Sequence, residues 1–243
     1  ITETVERGCT LLIPAFAFGR TQELLYAIHE LYHNNEVPKV PVYVDSPLAS
    51  RITKVYGEHP EMYDKDTHRD FLTEGLNPFM FGNLHFTESV EESMALMREK
   101  TPHIVLSASG MCEGGRILHH LRYKIHDPNN TILIVGYMAE HTLGRRILEK
   151  GTAYAESGRQ GDPPMMRFMG KEYPLLAQVV RMDGFSAHGD RNEMFRFLKE
   201  SNLYIKRIAL VHGEQEQMID FADALKSAGY NVQVPRAGEA LRI

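Results

Sequence analysis

Hydrophobic residues follow the chain in two alternating patterns: short continuous runs, and longer segments in which apolar residues recur every three or four positions. Continuous runs of this kind are typical of strands buried on both faces of a parallel sheet. They predict strands at residues 10–14, 40–44, 102–106, 131–135, 207–211 and 231–234. The helical spacing predicts helices at residues 21–33, 48–57, 89–100, 115–125, 142–150, 192–199 and 215–227. Strands that alternate with amphipathic helices indicate an α/β fold with a largely parallel sheet.

One region interrupts this alternation. Residues 151–164, with the sequence GTAYAESGRQGDPP, are rich in Gly and Pro and predict a connection without regular structure. The apolar runs at 165–169 and 175–182 flank the segment GKEYP. We expect these two runs to pair as a hairpin.

Composition and charge restrict the class of protein. The chain of 243 residues is 43% hydrophobic, which is enough to bury a substantial core. Its formal charge of −5 provides no global basic field, so any binding of phosphate depends on local sites. Cys9 and Cys112 lie far apart and lack zinc-site spacing, which is typical of a reduced, cytoplasmic protein. We expect no membrane association, because no apolar run approaches the roughly 20 residues that span a bilayer.

The residues that follow the predicted strands are the first candidates for a site, because parallel sheets bind ligands beyond the carboxyl ends of their strands. Residues 107–116, SASGMCEGGR, supply two hydroxyls, three glycines and Arg116 at the start of a helix. Glycines let backbone N–H groups approach an anion, and arginine adds a bidentate clamp. A tight turn with a surface arginine fits the same pattern, so both interpretations stay open.

Other polar residues near these strand ends carry weaker signals. The sequence DSP at 45–47 is typical of a turn that only caps the next helix. His119 and His120 point about 100° apart on their helix, so at most one faces the loop. Each of them alone is typical of a solvated or core-edge histidine. One of Arg145 and Arg146 can face a charged ligand while the other lies on the helix surface.

Two histidines follow later predicted strands. His188 lies in DGFSAHGD, where a glycine on each side permits a sharp turn and Ser186 supplies a hydroxyl. His212 ends a buried run and is followed by Gly213 and Glu214. A histidine at the carboxyl end of a strand is well placed to bind a ligand or transfer a proton. A structural role fits the same positions, and chemistry alone does not separate the two.

A family resemblance rests on six segments in order along the chain: IPAFAFGRTQELL, VPVYVDSPLA, SASGMCEGGRILHHL, GYMAEHTLGRRIL, DGFSAHGD and LVHGE. Together they resemble the β-CASP branch of the metallo-β-lactamase superfamily, whose members are hydrolases that process nucleic acids. The similarity is greatest to the bacterial and archaeal members that process RNA, relatives of ribonuclease J and of the eukaryotic pre-mRNA 3′-end cleavage endonuclease. It covers nearly the whole chain.

The resemblance implies an arrangement of domains. Residues 1–182 would form the β-CASP domain, with a parallel-rich sheet flanked by helices. Residues 183–243 would be the C-terminal segment that returns to a metallo-β-lactamase αββα domain. The family's HxHxDH zinc signature lies upstream of the β-CASP insertion, and this chain contains no such run. We therefore expect the chain to be a fragment whose missing N-terminal metallo-β-lactamase part is its main protein partner.

The resemblance also implies roles for individual residues. His188 would donate a proton to the leaving oxygen, and His212 would be a zinc ligand. The residues expected to hold the RNA backbone are Ser107, Ser109, Gly110, Arg116, Ser186 and one or both of Arg145 and Arg146. The full-length protein would use two zinc ions about 4 Å apart to hydrolyse phosphodiester bonds, acting on single-stranded RNA. The fragment alone would be inactive, and a homodimer is a further expectation.

Two alternatives from other classes remain at this stage. One is a catalytically silent β-CASP scaffold that binds RNA or protein, against which the intact His188 and His212 argue. The other is an independent nucleotide-binding module, which the absence of GxGxxG and GxxxxGK[ST] disfavours. The sequence leaves open the choice between endonuclease and exonuclease and between RNA and DNA.

Overall fold

The computed structural model describes residues 1–185 and 189–240 of the chain. The chain divides into two compact units, Ile1–Ser186 and Ala187–Ile243. None of the helices within the described residues has the length and apolar character needed to span a bilayer.

A parallel sheet forms the centre of the first unit. The strands of this unit are β1 (Thr10–Pro14), β2 (Val42–Val44), β3 (Leu84–Phe86), β4 (His103–Ser107), β5 (Thr131–Ile134), β6 (Met165–Phe168), β7 (Lys171–Pro174) and β8 (Gln178–Arg181). Six of them pair in the order β3-β2-β4-β1-β5-β8, and every pairing is parallel. The predicted α/β class with a largely parallel sheet is therefore confirmed.

Helices cover both faces of this sheet. They are α1 (Thr2–Glu6), α2 (Arg20–His33), α3 (Pro47–Glu58), α4 (Lys65–Asp70), α5 (Val90–Arg98), α6 (Ile117–Lys124) and α7 (Leu143–Glu156), with short 3₁₀ turns at Pro60–Met62 and Leu72–Glu74. Leu25 and Ile28 of α2 pack against one face, in the same buried cluster as Leu11 and Ile13. Residues of α6 and α7 pack against the opposite face, in the cluster that contains Leu12. Alternate residues of β1 therefore enter different cores, which explains its continuous apolar run.

The predicted hairpin is present with a different second strand. β6 pairs in antiparallel fashion with β7, whereas β8 joins β5 in the parallel sheet. Met169 and Gly170 connect β6 to β7 with φ angles of 49° and 72°, as a type I′ turn requires. The prediction that 175–182 pairs with 165–169 is therefore wrong, because the two-residue turn brings the adjacent residues 171–174 back against β6.

Helix α7 extends into the segment predicted to lack regular structure. It runs to Glu156, so Gly151 lies in the helix interior and does not end the helix. A Cβ atom built on Gly151 would lie 2.4 Å from Cγ2 of Val179 on β8. The glycine lets the helix backbone approach the edge strand closely, which outweighs its low helix propensity.

The second unit is small. It contains α8 (Arg191–Glu200), β9 (Ile208–Ala209), α9 (Gln215–Ser227) and β10 (Val232–Gln233), with β9 and β10 pairing in parallel. Ala222 and Leu225 are its only buried residues among those that the structure describes. An apolar groove of about 400 Å³ remains open between its helices and strands, lined by Met194, Phe197, Leu198, Ile208, Leu210 and Phe221, among others. The domain boundary expected near residue 182 stays a prediction.

Candidate substrate-binding edge

The carboxyl ends of β1 and β4 lie side by side. They mark the point in the sheet at which the order of the strands reverses. The chain leaves β1 through α2, which covers one face, and leaves β4 through α6, which covers the other. Strand ends related in this way open a crevice that binds ligands in parallel α/β folds. The sequence-predicted loop of residues 107–116, hereafter the 107–116 loop, begins at Ser107, the last residue of β4.

The 107–116 loop is closed by its own hydrogen bonds. The hydroxyl of Ser109 accepts hydrogen bonds from the backbone N–H groups of Glu113 (3.1 Å) and Gly114 (3.3 Å). Gly115 has a φ of +77°, and a Cβ there would lie 2.4 Å from the carbonyl oxygen of Ala108. Glycine is therefore required at this position. No acceptor for the N–H of Gly110 is found among the residues described.

The loop is joined to the N-terminus of α7. The N–H of Gly144 donates to the carbonyl of Met111 over 3.0 Å, and the N–H of Leu143 donates to the carboxylate of Glu113. Thr142 caps the same helix by accepting a hydrogen bond from the N–H of Arg145. Two of the segments that carry the family resemblance, the 107–116 loop and the sequence GYMAEHTLGRR at 136–146, therefore form one continuous edge.

A buried carboxylate at the end of β2 holds this edge together. Oδ1 of Asp45 accepts hydrogen bonds from the hydroxyl of Thr87 and from Nη1 of Arg116, the latter over 2.7 Å. Oδ2 accepts from the hydroxyl of Ser93 and from Nε2 of His120, both over 2.6 Å. The side chains of Asp45 and His120 are fully buried. Asp45 thus connects the end of the 107–116 loop with α5, α6 and the segment after β3.

The hydrogen bonds determine the ionisation of this cluster. Burial raises the pKa of Asp45, but the hydrogen bonds from His120, Ser93 and Thr87 outweigh it and hold that pKa well below its ordinary range. Burial lowers the pKa of His120, against the opposing effect of its bond to Asp45. We therefore assign a carboxylate beside a neutral imidazole, with the guanidinium of Arg116 supplying the compensating charge.

The predicted substrate-binding residues differ in what they contact. The hydroxyl of Ser107 is buried and donates to the carbonyl of Asp45 over 2.9 Å. Arg116, besides its bond to Asp45, donates to the carbonyls of Thr87 and Glu88. These contacts stabilise the edge itself, and the proposed contacts of Ser107 and Arg116 with a phosphate stay predictions. The same holds for Ser109 and Gly110.

Residues of α7 provide further cationic groups. Nε of Arg145 forms an ion pair with Glu149 over 2.6 Å, one turn along the helix. Arg146 is exposed at the same helix end. The expected contact of one of these two arginines with a charged ligand stays a prediction.

The family resemblance assigns proton donation to His188 and zinc binding to His212. His188 and Ser186 lie outside the described residues. His212 is described and exposed, with a φ of +62°. Within residues 1–185 and 189–240, no group of three or more His, Cys, Asp and Glu side chains is arranged to hold a metal ion. The described residues alone therefore do not fit a zinc centre, for which about three protein ligands are needed.

Sequence reasoning missed the role of Asp45. The DSP turn does cap α3, since Ser46 accepts a hydrogen bond from the N–H of Ala49. Asp45 itself binds His120, which lies 75 positions away in the sequence. The sequence did contain a signal for this role, since an acidic residue directly follows a largely buried strand. Its partners were not apparent because they lie on α5, on α6 and in the segment after β3, which only the sheet order brings together.

Two family models match the chain in sequence order. The model described as "Beta-Casp domain" matches residues 21–147. The model described as "Zn-dependent metallo-hydrolase RNA specificity domain" matches residues 172–235. The first match includes α2 to α6 and the 107–116 loop, and the second includes β8, α8 and α9.

Curated relatives match over most or all of the chain. It is 35% identical over 243 residues to "Ribonuclease TTHA0252" of Thermus thermophilus, with 100% of this chain and 52% of the relative covered. It is 32% identical over 225 residues to "Transcription termination factor FttA" of Methanosarcina mazei, with 93% of this chain and 34% of the relative covered. The protein of that name from Methanocaldococcus jannaschii is 32% identical over 245 residues, with 100% and 37% covered. The chain thus spans about half of these relatives or less.

Proposed function

Because the chain belongs to the β-CASP branch of the metallo-β-lactamase superfamily, we propose that the full-length protein is a zinc-dependent nuclease that hydrolyses phosphodiester bonds of single-stranded RNA. The printed names of its relatives, a ribonuclease and transcription termination factors, support an action on RNA. Since the chain spans only part of those relatives, the proposed activity belongs to the full-length protein, and we place that protein in the cytoplasm.

The observation that carries this proposal is the shared edge of the 107–116 loop and the N-terminus of α7, in a chain that matches both family models. The edge lies where the strand order of the parallel sheet reverses, and parallel α/β folds bind their ligands at such points. Ser109 and Gly110 would approach the RNA backbone, with Arg145 or Arg146 adding charge. Asp45 would keep the edge rigid, and Arg116 would share its guanidinium between Asp45 and a phosphate.

The chemistry that we assign to this chain is a proton transfer. We propose that His188 protonates the leaving oxygen. Histidine is suited to this proton transfer because its ordinary pKa lies near neutral pH. We propose that His212 is one ligand of the zinc centre of the full-length protein, which would hold two ions. One imidazole does not provide the ligands of such a centre. The 243-residue chain alone should therefore be inactive.

The test is a cleavage assay with the full-length protein on a labelled single-stranded RNA. His188→Ala should reduce the rate at least about 100-fold, the usual contribution of a general acid, and should leave the zinc content unchanged. His212→Ala should lower the zinc content, measured by elemental analysis. His119→Ala is the matched control, because His119 is exposed and has no assigned role.

Each outcome of these assays supports or contradicts one of the assigned roles. Unchanged cleavage by the His188 variant contradicts its role, and unchanged zinc content of the His212 variant contradicts the metal assignment. A full-length protein that binds RNA without cleaving it would support the alternative of a silent scaffold. Chelator-sensitive cleavage by the 243-residue chain would contradict its proposed inactivity.

A further inference from the structure

Two exposed phenylalanines lie in the turn directly after β1. Phe16 is 48% exposed and Phe18 is 69% exposed, whereas Ala15 between the strand and the turn is buried. Single exposed apolar residues are common on protein surfaces. Two aromatic rings within three residues, at the carboxyl edge of the sheet, are a different case because this edge is the expected ligand-binding side. We refer to Phe16 and Phe18 as the aromatic pair.

The backbone that carries the aromatic pair is fixed by hydrogen bonds. The carbonyl of Phe16 accepts from both the N–H (3.3 Å) and the hydroxyl (2.7 Å) of Thr21. The carbonyl of Ala17 accepts from Nε2 of the buried Gln22 over 3.2 Å. The carbonyl of Phe18 accepts from the N–H of Arg20 over 3.0 Å. A turn backbone held in this way loses little conformational entropy when a ligand stacks on the rings that it carries.

The aromatic pair adjoins the 107–116 loop. The N–H of Ala15 donates to the carbonyl of Ser107 over 3.1 Å. A Cβ atom on Gly110 would lie 2.8 Å from Cδ2 of Phe16, so the ring packs directly against the loop backbone. Phe18 extends the apolar surface toward α3, where its ring meets that of Tyr56 edge to face at a centroid distance of 6.2 Å.

We propose that the aromatic pair is a stacking platform for the bases of a single-stranded nucleic acid whose phosphates pass along the 107–116 loop. This inference rests on the proposed function, since it names how the same edge holds the strand. Every base has a π-face, so stacking on a phenylalanine requires no particular sequence. Stacking also supplies affinity that does not depend on net positive charge. Stacking would thereby let a chain with a formal charge of −5 bind the proposed RNA substrate.

The first experiment measures binding of the full-length protein to a 2′-O-methyl single-stranded oligonucleotide that resists cleavage, by fluorescence anisotropy. Phe18→Leu should raise the dissociation constant roughly 5- to 150-fold, which corresponds to the usual contribution of one stacked base. Phe18→Tyr should bind within about threefold of the wild type, because it retains the ring. Tyr204→Leu is the matched control, since Tyr204 is an exposed aromatic residue of the second unit.

The second experiment separates stacking from contacts with the backbone. An oligonucleotide with abasic sites keeps its phosphates and lacks the bases, so the wild type should bind it more weakly than the normal strand. Phe18→Leu should then cause little further loss, because the base that it would contact is already absent. Phe16→Leu should show the same pattern of affinities. It provides a second test of stacking if Phe18→Leu folds poorly.

Three results would overturn the inference. Equal affinity of the wild type and both leucine variants would show that the rings do not contact bases. An equal loss on normal and abasic strands would show that the rings act through the loop or through folding. Loss of stability or assembly with unchanged RNA affinity would show that the rings pack against protein. If the wild type binds and cleaves no single-stranded RNA, the proposed function fails as well, which distinguishes that failure from a failure of stacking alone.

Discussion

The two compact units contain similar amphipathic helices but differ in how completely those helices are covered. In the first unit both faces of the sheet are packed, and Leu12, Ile104 and Ile132 are fully buried. In the second unit Met194 and Phe197 of α8 remain exposed. An amphipathic pattern therefore predicts which face of a helix requires cover, but it does not predict what provides that cover.

The units also differ in their polar groups. The first unit joins the buried Asp45 and His120 to the half-buried Arg116 in one network, so its stability depends on the pairing of a buried carboxylate. In the second unit, Lys226 and Asp223 form an ion pair on the surface, one turn apart on α9. Such exposed pairs contribute little to stability. Perturbations of charge should therefore affect the two units very differently.

The largest expected effect comes from removing the central carboxylate. Asp45→Ala should lower the free energy of unfolding by about 3–5 kcal/mol, because it leaves Arg116 and His120 without their buried partner. Urea denaturation followed by circular dichroism would measure it. The control Asp66→Ala removes an exposed partner of Arg69 and should cost less than about 1 kcal/mol. A loss below that value for Asp45→Ala would show that the network is not needed for stability.

A smaller loss of stability is expected when the pH falls below neutral. Burial lowers the pKa of His103 to about 4, and its hydrogen bonds to Thr101 and Thr10 suit a neutral ring. The unfolded histidine takes up a proton below about pH 6.5. The stability contributed by the neutral ring is therefore complete above pH 6.5 and is lost as the pH falls toward 4. Between pH 7 and pH 5 this amounts to about 2 kcal/mol.

Urea titrations of the wild type and of His103→Gln at pH 7, 6 and 5 would measure this contribution. The variant should lose less stability over that interval than the wild type. Above pH 7 the two curves should run parallel, since the ring is neutral in both states there. Equal slopes between pH 7 and pH 5 would show that His103 does not carry the dependence.

The smallest effect on stability is expected at the uncovered face of the second unit. Phe197→Ser should change the free energy of unfolding by less than about 0.5 kcal/mol, because the ring is 68% exposed. It should also reduce self-association of the 243-residue chain, measured by sedimentation velocity, since exposed apolar patches promote contacts between molecules. A loss of 2 kcal/mol or more would show that the ring is packed and would remove the contrast between the units.

The sequence predicted the central elements of the fold well. The strand expected at 10–14 is β1 with the same bounds, and the helix expected at 21–33 begins one residue earlier as α2. Both elements have a strong hydrophobic pattern, because β1 is buried on both faces and α2 is buried along one face. The pairing of β8 was not predictable in this way, since parallel pairing joins residues that are distant in sequence.

The candidate site was predicted only in part. Its location at the strand ends follows from the general behaviour of parallel sheets, and the 107–116 loop does lie there. The network around Asp45 was not foreseen, because its four partners lie in two stretches, 87–93 and 116–120, that are both distant from Asp45 in the sequence. The exposure of the aromatic pair was also invisible in the sequence, where FAF resembles the continuation of a buried strand.

The network around Asp45 has a consequence for the order of folding. Its donors come from residues 42 to 75 positions away, on segments that meet only when β2, β3 and β4 lie side by side. Until then the carboxylate keeps its hydration, because burying an unpaired charge is strongly unfavourable. We expect this network to close late, after the apolar core has formed. Changes at Asp45 should therefore accelerate unfolding more than they slow folding.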